Sequence, residues 1–331
     1  MRTRALVTIA AAAALALAAA LSLAVGARGI DLGTVWNALV SYDPGDDLQR
    51  IVRETRGSRT VIGVLAGAAL AVAGALMQSL TRNPFAEPGL LGINAGASLA
   101  VVLGIVTGAA TGFSSQVWVA FLGAGLAAVL VYAIGARGAA AGAPVRLALA
   151  GVALAALLGS ITFALLLVLD GALDQFRFWV VGSLTGRQGN DITALIPIVL
   201  LAIAAGFVAA RHLEAIALGD DAARALGVNL AATRVVVIVV VTLLAGAATA
   251  AAGPLIFVGL AVPHLLRPFV GASLPWLLAA CAFGGGALVL VCDVIGRVIA
   301  PPSEIPVGVT TAFIGGILFA VMARRMKVVE L

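Results

Sequence analysis

Charge is scarce in this chain. Only 11% of its 331 residues are Asp, Glu, Lys or Arg, whereas 62% are hydrophobic and the mean hydropathy is +1.15. No soluble core of this length needs so much apolar surface, so a water-soluble globular fold is excluded. Thiols are scarce too: Cys281 and Cys292 are the two cysteines. On one helix they would stand ~16 Å apart, which excludes a mutual disulfide. The two histidines, His212 and His264, are too distant in sequence to form a helical ligand pair, so no metal motif is present. The short alternating segments of a membrane β-barrel are missing. So is a Gly-x-x-x-x-Gly-Lys-[Ser/Thr] phosphate loop, so nucleotide hydrolysis would have to come from another chain. Aromatics amount to 5%, and small residues, among them 39 glycines, take the space. Small residues let helix backbones approach closely in lipid.

What is present is a series of long apolar runs. Measured against the length that crosses a bilayer, they give ten segments near 5–27, 60–81, 91–111, 115–136, 146–169, 192–210, 233–252, 255–269, 274–299 and 306–323. The fold class is therefore all-α, a polytopic membrane protein of about ten helices in one domain over 1–331. The first run is long enough to span and is read as an uncleaved helix rather than a signal peptide. The eighth is short and carries Pro263, His264, Arg267 and Pro268, so it is expected to be broken or half-length. An even count puts both termini on one side. Arg2 and Arg4 at one end and Arg324, Arg325 and Lys327 at the other make that side cytoplasmic. Arg82, Arg137, Arg146, Arg211, Arg224, Arg234 and Arg267 join them there. Arg50, Arg53, Arg56 and Arg59 break the rule in an external loop, and Arg297 ends the ninth span on the same side. Arginine pairs carboxylates bidentately, so an acidic soluble partner could dock on that cluster. Lipid phosphate is the plainer alternative, and Asp293, four residues before Arg297, could pair with it along one helix.

A polar island from Arg211 to Arg234 interrupts the apolar runs. Asp220 and Asp221 suit a helix N-terminus, and Gly227 suits a stop. Ala217, Leu218, Ala222, Leu226 and Val228 form an apolar stripe, so a surface-lying helix is expected over about 217–228. The loop from Thr81 to Gly89 contains two prolines and has a fixed, non-helical path. Few polar residues lie inside the spans. Ser160, Thr162, Thr242, Thr249, Thr310 and Thr311 are read as helix–helix hydrogen bonders, and His264 as a structural hydrogen bonder beside Pro263.

The stretch GALMQSLTRNPFAEPGLLGINAGAS (Gly74 to Ser98) resembles the permease subunits of type II ABC importers, the family that imports ferric siderophores, haem and vitamin B12. Five further stretches continue the resemblance in order: VRLALAGVAL from Val145, DQFRFWVVGSL from Asp174, ALGDDAARALGV from Ala217, GPLIFVGLAVPHLLR from Gly253 and DVIGRVIAPPSEIPVGVTTAFIGG from Asp293. The wording is most like ferric-enterobactin-type permeases. The resemblance implies a ten-helix subunit that works as a dimer with a second permease, a paralogue by preference. It implies two ATPase subunits that bind ATP and Mg, so this chain holds no cofactor of its own and is not an enzyme. It implies a coupling helix at Leu218, Gly219, Asp220, Asp221, Ala222, Arg224, Leu226 and Gly227. It implies an external binding protein that meets Arg56, Arg59 and Arg297, and a cytoplasmic gate at Asn83, Phe85, Pro144 and Val145. The cargo implied is an iron(III)-siderophore, with haem or vitamin B12 as the alternative, carried across a bacterial inner membrane. Nucleic acid has no place in this reading.

Four positions depart from the family wording. Arg56-Gly57-Ser58-Arg59 lacks a usual proline, Phe85 replaces a common leucine, Gly315-Gly316-Ile317 lacks a usual proline, and Ala272-Ser273 replaces a usual Asp-His after the eighth helix. A rival of another class is an ion-coupled secondary transporter. Such proteins bury ionisable residues at the bilayer midplane, and these spans hold almost none.

Overall fold

The computed structural model describes residues 2–26, 29–110, 112–135, 143–169, 171–186, 190–301 and 303–325, and no strand occurs among them. Arg137 and Lys327, used above for orientation, lie outside the described residues. The helices are α1 (Arg2–Ala24), α2 (Leu32–Val40), α3 (Asp47–Arg50), α4 (Gly57–Thr81), α5 (Ile93–Thr107), α6 (Phe113–Gly135), α7 (Ala143–Val168), α8 (Ala172–Val180), α9 (Asn190–Ala217), α10 (Asp220–Ala225), α11 (Leu230–Ala252), α12 (Val258–Val270), α13 (Leu274–Ile299) and α14 (Val307–Arg325). Seven are long and apolar enough to cross a membrane, and α5, α12 and α14 supply three shorter apolar helices. These ten match the ten expected segments one for one. The eighth, α12, is the half-length helix with Pro263 and Pro268 inside it. The protein is a multi-pass membrane protein.

α4 is the axis of the bundle. Its residues from Ala66 to Gln78 are buried on every side. Lipid gives helices no hydrophobic reason to associate, so close packing must do it, and glycine permits the closest packing. A Cβ at Gly67 would lie 2.3 Å from the Gly285 carbonyl oxygen of α13, and one at Gly285 would lie 2.1 Å from that of Gly67. A Cβ at Gly74 would lie 1.8 Å from the Gly259 carbonyl oxygen of α12. α1 and α7 are mostly exposed.

α4 does not begin where its apolar run begins. α3, a π-helical turn at Ile51–Arg56 and α4 form one continuous helix, Asp47–Thr81. The π-turn adds a residue to the helical repeat and turns Arg56 away from the line of Arg50 and Arg53. The four arginines therefore do not form one row. Arg50 pairs with exposed Asp47 and Arg53 lies over the Tyr42 ring, while Arg56 and Arg59 turn inward.

The polar residues of the spans mostly serve their own helices. Ser160, Thr162, Thr242, Thr310 and Thr311 each donate to a carbonyl three or four residues earlier. Thr249 alone of the six bonds across helices, at 2.9 Å from Asn94 Oδ1. The expectation of interhelical bonds is corrected for the other five. The hydrogen bond expected of His264 is not found among the described residues.

Replacing Gly74 with Ala should lower the stability of the detergent-solubilised protein by about 1–3 kcal/mol, because a methyl group there meets backbone rather than a movable side chain. A thermal melt of the purified variant checks this, and an unchanged melt would reject the close α4–α12 contact.

Candidate functional site

Among the described residues, charged side chains gather towards the two ends of the bundle. At one end lies α10, on the same side as the start of α1, the end of α4 and the α12–α13 turn. Gly219 precedes α10 at φ 115°, a conformation that needs glycine. Gly227, at φ 81°, closes it with paired bonds from Gly227 N–H to Arg224 O and from Val228 N–H to Ala223 O. The helix proper is thus six residues, shorter than the expected 217–228. Ala217 is the last residue of α9, which also takes up Arg211 to Ile216.

Asp220 fastens α10 to the bundle. Its carboxylate accepts from Arg82, just after α4, at 2.7 Å and from Arg234 of α11 at 2.8 Å. Arg82 also donates to the Ile216 carbonyl at the end of α9. Burial alone would raise the Asp220 pKa, but the two arginines outweigh it and hold the carboxyl below its ordinary value. Asp221 and Arg224 pair only with each other, in the open, where such a pair contributes little. Ala223 is buried, whereas Leu218, Ala222 and Leu226 are exposed. The expected apolar stripe therefore points away from the bundle. Leu218 and Leu226 edge a cleft of about 1030 Å³ whose other lining includes Arg4, Arg267 and Leu274.

Beside this cleft runs the Thr81–Gly89 loop. Asn83 Oδ1 accepts from the Phe85 N–H at 2.9 Å, which fixes the turn. The Phe85 ring meets Phe319 of α14 edge-on at 5.8 Å, and Phe257 lies 6.2 Å from the same ring. Glu87 accepts from the Phe257 N–H at 3.2 Å. Phe257 itself has φ 68°, rare for a bulky residue, and it presses so closely on Gly315 that a Cβ there would lie 2.3 Å away. Phe257 and Phe319 were not singled out from the sequence; the glycines at 315–316 were the available signal. Pro144 and Val145 sit in the first turn of α7, and their side chains lie outside the description.

The opposite end is held by buried ions. Arg59 donates through Nε and Nη2 to Asp293 Oδ1 at 3.1 and 2.8 Å, and through Nη1 to Glu304 at 2.7 Å. Arg297 pairs with the other Asp293 oxygen. The same Arg297 donates to the Ser22 and Val25 carbonyls at 2.7 and 3.2 Å. Arg56 donates to the Leu23 and Ala24 carbonyls, both at 2.8 Å. The α1 carbonyls left without helical donors thus receive two guanidinium groups. Arg56, Arg59 and Arg297 are only 5, 6 and 2% exposed. These three are expected to meet an acidic partner; the bonds described for them run inward, onto Asp293, Glu304 and the end of α1.

A family model, described as the FecCD transport family, matches residues 4–325. The chain belongs to the FecCD transport family. It is accordingly a permease of the ABC importer class, a transport component and not an enzyme. Among curated relatives, the ferric enterobactin transport system permease protein FepD of Escherichia coli (strain K12) is 42% identical over 92% of this chain and 90% of its own. The Fe(3+)-citrate import system permease protein YfmD of Bacillus subtilis (strain 168) is 38% identical over the same shares. A solved metal-chelate type ABC transporter in an inward-facing conformation superposes with a TM-score of 0.84 at 25% identity, over 96% of this chain and 99% of that one.

Asp293→Ala should cost about 3–5 kcal/mol, since it strands two buried guanidinium groups, and a detergent melt would show it. Asp220→Ala should cost about 1–3 kcal/mol at pH 7. Because the folded pKa of Asp220 lies below its unfolded value, that contribution is complete above the ordinary carboxylate pKa. It should fade as the pH falls through the depressed folded value, so melts of wild type and variant should converge in acid.

Proposed function

We propose that this permease passes an iron(III)-siderophore across the bacterial cytoplasmic membrane, driven by ATPase subunits that push on α10. The observation that carries the reading is the two-sided character of α10. One side offers Leu218, Ala222 and Leu226 to a partner, and the other is pinned through Asp220 to both α4 and α11. A load on α10 thereby reaches the helix at the centre of the bundle. Differential contacts with a partner in two states are what such coupling requires.

In this reading α10 lies in the cytoplasm with both termini. Leu218, Gly219, Asp220, Asp221, Ala222, Arg224, Leu226 and Gly227 make the coupling segment, and two ATPase subunits supply ATP and Mg. Asn83 and Phe85, with Pro144 and Val145 of α7, line the cytoplasmic gate. The edge-on contact of Phe85 with Phe319 supports a gate whose plug is braced against α14. A second permease subunit, a paralogue by preference, completes the pathway. An external binding protein delivers the chelate at the end built on Arg56, Arg59 and Arg297, which shape that surface from beneath. Both relatives described above are named for ferric chelates, which supports the cargo class.

Gly219→Pro tests the coupling. Proline cannot adopt φ 115°, so the α9–α10 joint must change shape. In vesicles holding the permeases, the ATPase and the binding protein, ATP hydrolysis should persist while uptake of radiolabelled ferric enterobactin is largely lost. Normal uptake in this variant, or wild-type uptake that follows a proton gradient without ATP, would reject the reading.

A further inference from the structure

The connection from α1 to α4 contains a helix that transport leaves without a task. α2 is capped by Asp31, whose carboxylate accepts from the Thr34 N–H at 3.0 Å and from the Thr34 hydroxyl at 2.5 Å. Val35 and Ala38 are buried with Ile30 and Val52 and pack against Leu23 at the end of α1. At 3.6 residues per turn, the rest of the circumference falls into two sectors. Leu39, Leu32, Trp36 and Val40 fill one continuous arc of about 100°. All four are exposed, Leu32 by 74% and Trp36 by 66%. Gly33, Asn37 and Thr34 fill the polar arc beyond. A helix between protein and water needs a buried side and a polar side only. The third, apolar and exposed sector is the feature that calls for a partner.

The position of α2 points to the bilayer. α1 has 23 residues and is therefore ~34 Å long, about the thickness of the hydrocarbon core. It exposes Leu17 and Leu21 along its second half. α2 rests on Leu23 in the last turn of α1, so its exposed arc lies at the level where hydrocarbon gives way to headgroups. Tryptophan favours this level because its ring is apolar and its N–H is not. The arc bears no charge, so buried apolar area rather than attraction to anionic lipid would hold it.

We propose that α2 is an interfacial helix whose Leu32, Trp36, Leu39 and Val40 face enters the leaflet at the C-terminal end of α1. Arg56 holds the Leu23 carbonyl directly beneath it, so this contact sets the height of the buried arginines relative to the headgroups.

Full-length protein in phosphatidylcholine vesicles tests this, with Trp36→Phe used to isolate the Trp36 share of the fluorescence. That share should be quenched strongly by lipids brominated near the headgroup, weakly by lipids brominated at the chain end, and hardly at all by aqueous acrylamide. A Trp36 signal that ignores both lipids and yields to acrylamide overturns the proposal. Shielding that rises with protein density rather than with lipid assigns the face to a second copy and overturns it equally. In a Leu32→Ser, Leu39→Ser variant, acrylamide quenching of Trp36 should rise severalfold; unchanged lipid quenching there would also count against it.

Discussion

One carboxylate organises the end of the bundle opposite α10. Asp293 is fully buried and takes a guanidinium on each of its oxygens. Two arginines around one aspartate leave positive charge over. The structure spreads it onto Glu304 and onto the C-terminal carbonyls of α1, which carry the negative pole of that helix. Arginine suits the task because its planar fork can serve a carboxylate and a row of carbonyls at once. α1, α4, α13 and the segment before α14 thereby meet at a single charged knot. Without it, α1 would meet the rest through apolar contacts and the Ser22–Thr60 hydroxyl pair, and its last carbonyls would lose these donors.

The spans were legible because lipid imposes a simple requirement: about twenty apolar residues, with every backbone bond made inside the helix. Even the short α12 declared itself through Pro263 and Pro268. The knot was not legible. Arg59 finds Asp293 across more than two hundred residues, and a π-turn just before it changes which way the arginines point. In the sequence the four arginines form one external cluster, and only the Arg297–Asp293 pair, four residues apart on one helix, could be anticipated. The threonines misled for a related reason. A hydroxyl on a helix always has its own carbonyl within reach, so a partner on another helix must compete with it.

At the α10 end the balance was different. The stop at Gly227 and the apolar residues of the stripe could be read directly. Which way the stripe faced could not, because Asp220 decides it by reaching Arg82 and Arg234 on two other elements. Phe257 was hidden altogether. Its left-handed backbone is tolerated because Glu87 takes its N–H and Gly315 leaves room for its side chain, and neither residue is near it in sequence.

α4 links these two ends. Arg59 stands near its start and Arg82 follows its last residue, on a rod of 25 residues that is ~37 Å long. Between them, at Gly67 and Gly74, the rod is pressed against its neighbours so closely that no side chain fits. Gripped at two levels, against α13 and against α12, this rod joins the knot of charge at one face of the membrane protein to the surface helix at the other with no joint between them.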